Sequence, residues 1–226
     1  MNVVLFGASG MIGTGVLIES LADDRVESVV SIGRRPSGHN HPKLRELIRS
    51  DLLDYNDIRE QLRGLDACFY CLGVSSVGMD EAAYTHVTYE LTVAAADVLA
   101  ELNPRLTFCF VSGAGTDSTE EGRVMWARVK GRAENDLLDS PIKAYLFRPG
   151  YIQPMKGARS KTALYRVAYL LIAPFYPILK RLAPRQVTTT ENVGRAMIEV
   201  AANGFEKRIL GNAEINDVAG RQMTPR

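Results

Sequence analysis

The first thirteen residues limit the fold most. Met1-Asn-Val-Val-Leu-Phe6 is a branched apolar run, and Gly7-Ala-Ser-Gly10-Met-Ile-Gly13 follows at once. A stretch of helical character, Thr14 to Leu21, comes next. A buried strand that feeds a glycine turn and then a helix N-terminus makes an anion site. Glycines let the backbone approach a pyrophosphate, and free N–H groups and the helix dipole face its charge. The spacing is Gly-x-x-Gly-x-x-Gly, and its position directly after a strand gives it weight that a glycine triplet alone lacks. The expected dinucleotide contacts here are Gly7, Ser9, Gly10, Met11, Ile12 and Gly13.

The next expected strand, Val26 to Ile32, ends in Gly33-Arg34-Arg35-Pro36. An NAD site usually carries an acid at this point, to hold the ribose 2′-hydroxyl. Here two arginines stand instead, and guanidinium forks fit a phosphate and stack on adenine. The expectation is NADP(H) ahead of NAD(H), read from Arg34 and Arg35. A solvated basic turn is the competing reading.

Strands are expected near 2–6, 26–32, 47–50, 67–72, 106–111 and 144–148, and helices near 11–21, 55–62, 81–102 and 126–138. Alternating βα units with continuous apolar strands imply an α/β fold. It would be a Rossmann-type, doubly wound parallel sheet with helices on both faces and ligands at the carboxyl ends of the strands. With 226 residues, the chain is expected to be one NAD(P)-binding domain over 1–226, in which 151–226 adds a small helical or lid region.

Charge and cysteine use narrow the function. A net charge of +1 gives no global field for nucleic acid, so none is expected as partner. A strand at the very start, without an apolar leader, reads as cytoplasmic. Cys68-Phe-Tyr-Cys71 spells C-x-x-C, but on a strand residues three apart face opposite ways, so the thiols cannot share a metal. His39 and His41 sit in a polar loop, and no metal site is expected.

Strand ends carry the remaining candidates. Asp51 and Leu52 follow the third strand, as an acceptor for the adenine amino group and a residue to pack on its ring. Cys71, Leu72 and Gly73 follow the fourth, Ser112 and Gly113 the fifth, and Pro149, Gly150, Tyr151 and Ile152 the sixth. Taken together with Val129-Lys130-Gly131, these motifs resemble the short-chain dehydrogenase/reductase superfamily. The likeness is to its small atypical branch of NAD-dependent epimerase/dehydratase-like and NmrA-like proteins. It is close over residues 1–155 and weak beyond.

The resemblance implies roles. Ser112 would orient a substrate carbonyl or hydroxyl, Lys130 would bind the nicotinamide ribose, and Pro149-Gly150 would lie along the nicotinamide. The family's tyrosine, four residues before the lysine, is replaced by Trp126. Positions i and i+4 share a helix face, so Trp126 takes the tyrosine's place, but an indole N–H cannot serve as a titrating acid. Three readings stay open. Tyr151, Tyr84 or His86 supplies the proton to an oxidoreductase or epimerase-like reaction on a small carbonyl or hydroxyl substrate. Alternatively, the protein binds NADPH as an inactive sensor or regulatory protein of the NmrA-like kind. Or Ser112 and Lys130 support slow reduction, with water as acid.

The stretch 164–179 is apolar and aromatic, but it is too short and too interrupted by Arg166, Pro174 and Pro177 for a membrane span of about 20 residues. A substrate lid is expected there, with peripheral membrane contact or a dimer patch as alternatives. Lys156, Arg159, Lys161, Lys180, Arg181 and Arg185 flank it. Thr188 to Thr190 would cap a helix over 193–201, 208–215 would hold a last short strand, and 220–226 would be a loose tail.

Overall fold

A computed structural model describes residues 1–158, 181, 183 and 185–221. Its strands are β1 (Asn2–Phe6), β2 (Ser28–Gly33), β3 (Leu44–Ile48), β4 (Ala67–Tyr70), β5 (Thr107–Val111), β6 (Lys143–Phe147), β7 (Tyr151–Gln153), β8 (Val187–Thr189) and β9 (Ile209–Leu210). The helices are α1 (Met11–Ala22), α2 (Glu81–Thr85), α3 (Leu91–Leu102), α4 (Met125–Asp139), α5 (Thr190–Asn203) and α6 (Asn212–Arg221). Seven strands form one parallel sheet in the order β3-β2-β1-β4-β5-β6-β9, and β7 pairs with β8 apart from it. This is the doubly wound α/β architecture read from the sequence.

Strand alternation divides the core. Val4 and Phe6 of β1, Cys68 and Tyr70 of β4 and Phe108 and Phe110 of β5 point to one face, where Leu91, Leu99, Ala133 and Leu137 of α3 and α4 cover them. Val3, Leu5, Phe69, Cys109 and Phe147 point to the other, beneath Val16 and Leu17 of α1, Val193 and Met197 of α5 and Ile215 of α6. Each large side chain so buried contributes roughly 1.5–3 kcal/mol. Cys68 and Cys71 therefore join opposite cores. All three cysteines are free thiols.

Close approach of α1 and α5 depends on glycine. A Cβ on Gly15 would stand 2.5 Å from Thr190 Cβ, and one on Gly194 3.0 Å from the Glu19 side chain. Across the same contact Glu19, buried despite its charge, takes Lys156 at 2.5 Å and Arg195 at 3.0 Å. Lys156 also reaches Glu191 at 3.3 Å. Lys156 is thus tied into this ion-pair group.

Several boundaries differ from the sequence reading. The second strand begins at Ser28, because Val26 is buried in the turn before it. The third runs over Leu44–Ile48, where Leu44 pairs with Val29 on this edge of the sheet. Residues 56–62 form a 3₁₀ helix that buries only Ile58 and Leu62, too narrow an apolar stripe to extend a full α-helix. The expected helix 81–102 is interrupted by a π-helical turn, His86–Glu90.

At the C-terminus, the hydroxyl cap falls on Thr189, which accepts from the Asn192 N–H, so α5 starts at Thr190. Gly204, at φ +72°, ends it. The strand expected over 208–215 is only β9, and Asn212 already opens α6, which runs through Gly220 to Arg221. The apolar stretch 164–179, with its lid, membrane and dimer readings, lies outside the described residues.

Candidate functional site

The strand order reverses between β1 and β4, and at that point the carboxyl ends of the strands leave a cleft of about 530 Å³. Such a switch point is where doubly wound sheets bind ligands. Three segments line it: Gly7–Met11 after β1, Ser31–Arg35 at the end of β2, and Cys71–Ser75 after β4.

Each glycine of the turn has its own task. Gly7 adopts φ +81°, and a Cβ there would stand 2.7 Å from the Cys71 and Leu72 backbone. On Gly13 a Cβ would stand 2.1 Å from the Gly7 carbonyl, so Gly13 lets α1 sit against the turn. Gly10 differs, since its Cβ would touch only the Gly7 carbonyl, at 3.3 Å. The Gly10 N–H donates to that carbonyl at 2.9 Å, and the Thr14 hydroxyl donates to the Ala8 carbonyl at 2.9 Å. Among the described residues no side chain caps α1, and its first turn carries no acid. Such a helix N-terminus suits an anion.

Arg34 and Arg35 are exposed on the cleft wall. Neither makes an ion pair or hydrogen bond with any described residue. Arg49, after β3, is used differently: it binds Asp57 at 2.6 Å and the Asp54 carbonyl at 2.9 Å. Asp51 and Leu52 stand apart from the cleft lining. Asp51 accepts from the Leu53 N–H at 2.8 Å, and Leu52 is buried in the core. An apolar residue after an edge strand is drawn under the sheet, as Leu52 is.

The second half of the site is built by β5, α4 and β6. The Ser112 N–H and hydroxyl both donate to the Phe147 carbonyl, at 2.9 and 3.2 Å. Lys130 Nζ donates to the Ser112 carbonyl at 2.5 Å. Burial lowers the Lys130 ammonium to about pKa 8, while Glu134 acts in the opposite sense. Trp126, one turn earlier, is half-buried and its ring faces Gly115: a Cβ there would be 3.5 Å from the indole edge. Gly115 itself adopts φ +88°.

The sequence reading missed Glu134. Its carboxylate is fully buried, and the Arg148 Nε donates to both of its oxygens at 3.0 Å. Arg148 also donates to Ser118 at 2.5 Å. The available signal was an acid four residues after Lys130 on the same helix face. Ala8, Ser31, Ile32, Gly33, Val74 and Ser75 were also missed as cleft lining. Ile12, Gly13, Ser112, Trp126, Lys130 and 149–152 lie beyond that lining. Gly150 donates to Asn212 at 3.1 Å, which ties this loop to α6.

The alternative proton donors are placed poorly. The Tyr151 hydroxyl donates to Gln153 at 2.7 Å, and Tyr84 is buried. His86 is half exposed and bonds Glu90 at 2.7 Å on its own π-helical turn. Among the described residues no His, Cys, Asp or Glu cluster is arranged for a metal.

This fold and this cleft define a class: a doubly wound dinucleotide-type domain with a second set of side chains across the sheet. The chain belongs to the NAD dependent epimerase/dehydratase family, whose model matches residues 3–122. It is similar to "Protein FMP52, mitochondrial" of Debaryomyces hansenii, with 24% identity over 168 residues, 72% of this chain and 70% of that one. It is also similar to "Protein fmp52-2, mitochondrial" of Aspergillus oryzae, with 25% identity over 170 residues, 72% of this chain and 71% of that one. Both relatives are named as mitochondrial, which overturns the cytoplasmic expectation.

Two solved structures share the fold. The Bordetella bronchiseptica enzyme WbmF in complex with NAD+ superposes with a TM-score of 0.68 at 16% identity, over 97% of this chain and 76% of that one. UDP-N-acetylglucosamine 4-epimerase from Methanobrevibacter ruminantium M1 superposes with a TM-score of 0.69 at 18% identity, over 93% and 75%.

Proposed function

We propose that this chain binds NADP(H) in preference to NAD(H) and acts as an oxidoreductase or epimerase-like enzyme on a small carbonyl or hydroxyl compound. The observation that carries the preference is the pair Arg34 and Arg35, exposed on the cleft wall and unpaired with any described residue. A cation left without a partner at the end of β2 suits a 2′-phosphate. WbmF was solved with NAD+, so the arginine pair would set this chain apart from that neighbour.

The residues fit the cofactor. Gly7, Ser9, Gly10 and Met11, with Ile12 and Gly13 behind them, would cradle the pyrophosphate. Gly10 leaves the space a phosphate needs, and α1 keeps its end donors unused. Cys71, Leu72 and Gly73 would flank the cofactor, Lys130 would hold the nicotinamide ribose, and 149–152 would lie along the ring. When bound, the reduced nicotinamide supplies hydride. Ser112 would orient the substrate oxygen, with its hydroxyl turning from Phe147 toward the substrate. Titration of the protein with NADPH and NADH tests the reading, and comparable affinities would count against it.

A second reading rests on Trp126, whose indole cannot titrate. In that reading NADPH binds without turnover and the protein is a sensor. Oxidation of NADPH in the presence of a carbonyl panel separates the two.

A further inference from the structure

We infer that Lys130 itself donates the proton to the substrate oxygen, doing directly what the missing tyrosine would have done. The inference rests on the oxidoreductase reading and deepens it. Lys130 lies one turn from Trp126, and of its three N–H donors only one has a described partner, the Ser112 carbonyl at 2.5 Å. The ammonium is therefore held beside the serine expected to orient the substrate, with two donors left to give. Tyr151, Tyr84 and His86 are respectively bonded to Gln153, buried, and held on the π-helical turn by Glu90.

The surroundings keep this proton transferable. Glu134, one turn on, is the acid facing Lys130 from its own helix, but Arg148 holds both of its oxygens. In the loop before α4, Asp117 accepts from Thr119 and Gly122 and Glu120 accepts from Asn135, while Glu121 is exposed. Most charges on α4 and the elements packed against it are paired, and Asp97 of α3 and Lys143 of β6 are exposed. Arg128 binds Glu81 at 2.7 Å, Tyr89 donates to Asp136 at 2.5 Å beneath Arg132, and His86 bonds Glu90. No free carboxylate among them fixes the charge on Lys130. Burial then lowers its pKa to about 8, near working pH, where a general acid is most effective.

The step balances. A bound NADPH would supply the hydride for the new C–H bond at the carbonyl carbon and be released as NADP+. The C=O π pair moves to oxygen, and an O–H bond forms as an N–H bond of Lys130 breaks. The neutral amine regains a proton from water. In the oxidative direction the same amine accepts the proton.

The test compares wild type, Lys130→Arg and His86→Ala in three measurements. The first is NADPH affinity, the second NADPH oxidation with a carbonyl panel across pH 6–10, and the third the titration of Lys130 Nζ by NMR after ¹³C-methylation. Arginine keeps the cation for the ribose but holds its protons far above working pH. The expected result is retained NADPH affinity in Lys130→Arg with turnover lower by about 10²–10⁴. In wild type, the reductive rate should fall above about pH 8, and the Nζ resonance should titrate at that pH. Unimpaired turnover in Lys130→Arg, lost turnover in His86→Ala, or an Nζ that titrates with the surface lysines overturns the inference. NADPH binding with no oxidation by any carbonyl overturns it too, while leaving the binding reading intact. Absence of NADPH binding refutes both.

Discussion

The two halves of the carboxyl edge are built on different principles. Around β1 and β2 the site is mostly backbone: a left-handed Gly7, an open Gly10, a helix end uncapped by any described side chain and two arginines that pair with no described residue. Across the sheet, around β5, α4 and β6, it is side chain and charge, and nearly everything is paired. Ser112 is held by Phe147, Lys130 by Ser112, and Glu134 by Arg148. The first half offers backbone donors and cations that a ligand would complete. The second is largely paired within itself, so under the proposed function a change of one residue there would alter chemistry more than binding.

The sharpest way to break this contrast is at the glycines. Gly10→Val should abolish NADPH binding in a folded protein, because its Cβ meets only the Gly7 carbonyl. Gly13→Ala should instead unfold the turn, since its Cβ would lie 2.1 Å from that carbonyl. Circular dichroism with a binding titration checks both, and equal effects at the two positions would dissolve the distinction.

In the paired half, Trp126→Tyr restores a titratable acid beside Lys130. Made on top of Lys130→Arg, it should raise carbonyl reduction by up to roughly 10²–10⁴, read as NADPH consumption, with little change in NADPH affinity. A fall in rate would mean the indole makes a contact the phenol cannot.

Arg148→Ala leaves the Glu134 carboxylate fully buried and unpaired. Stability should fall by about 3–5 kcal/mol in chemical denaturation, and Glu134→Gln should cost less. Equal costs would show that the pair is not felt as a buried charge.

The smallest effect is in pH. The folded pKa of Lys130, about 8, lies below its ordinary 10.5, so the unfolded chain binds more protons between those values. Charged Lys130 therefore carries a penalty that is full below about pH 8 and fades as pH rises toward 10.5. Wild type should gain stability relative to Lys130→Met across that window. Parallel curves would place Lys130 in water.

The same division explains what the sequence disclosed. β1, the glycine turn and the arginines of β2 are local in sequence, and backbone geometry follows from residue type and order. The strand order follows from the alternation of βα units. The π-helical turn His86–Glu90 is not written in the periodicity, because the buried residues Tyr84, Thr88 and Leu91 keep ordinary helical spacing across it. The setting of Asp51 and Leu52 depends on which way an edge-strand loop turns, which residue order alone does not state. Arg148 and Glu134 are 14 residues apart and meet only when β6 lies against α4. Apolar patterning carries no mark of that pairing. The pKa of Lys130 was unreadable for the same reason, being a property of its packed surroundings.

The claim that the open half selects NADP(H) is tested most directly by four dissociation constants: NADPH and NADH, each against wild type and Arg34→Ala/Arg35→Ala. Two charge-assisted contacts to the 2′-phosphate should favour NADPH in wild type by about 1.5–3 kcal/mol. The double variant should lose that margin through weaker NADPH binding, with NADH affinity nearly unchanged. Equal affinities in wild type, or a margin that survives the loss of both arginines, would contradict the account.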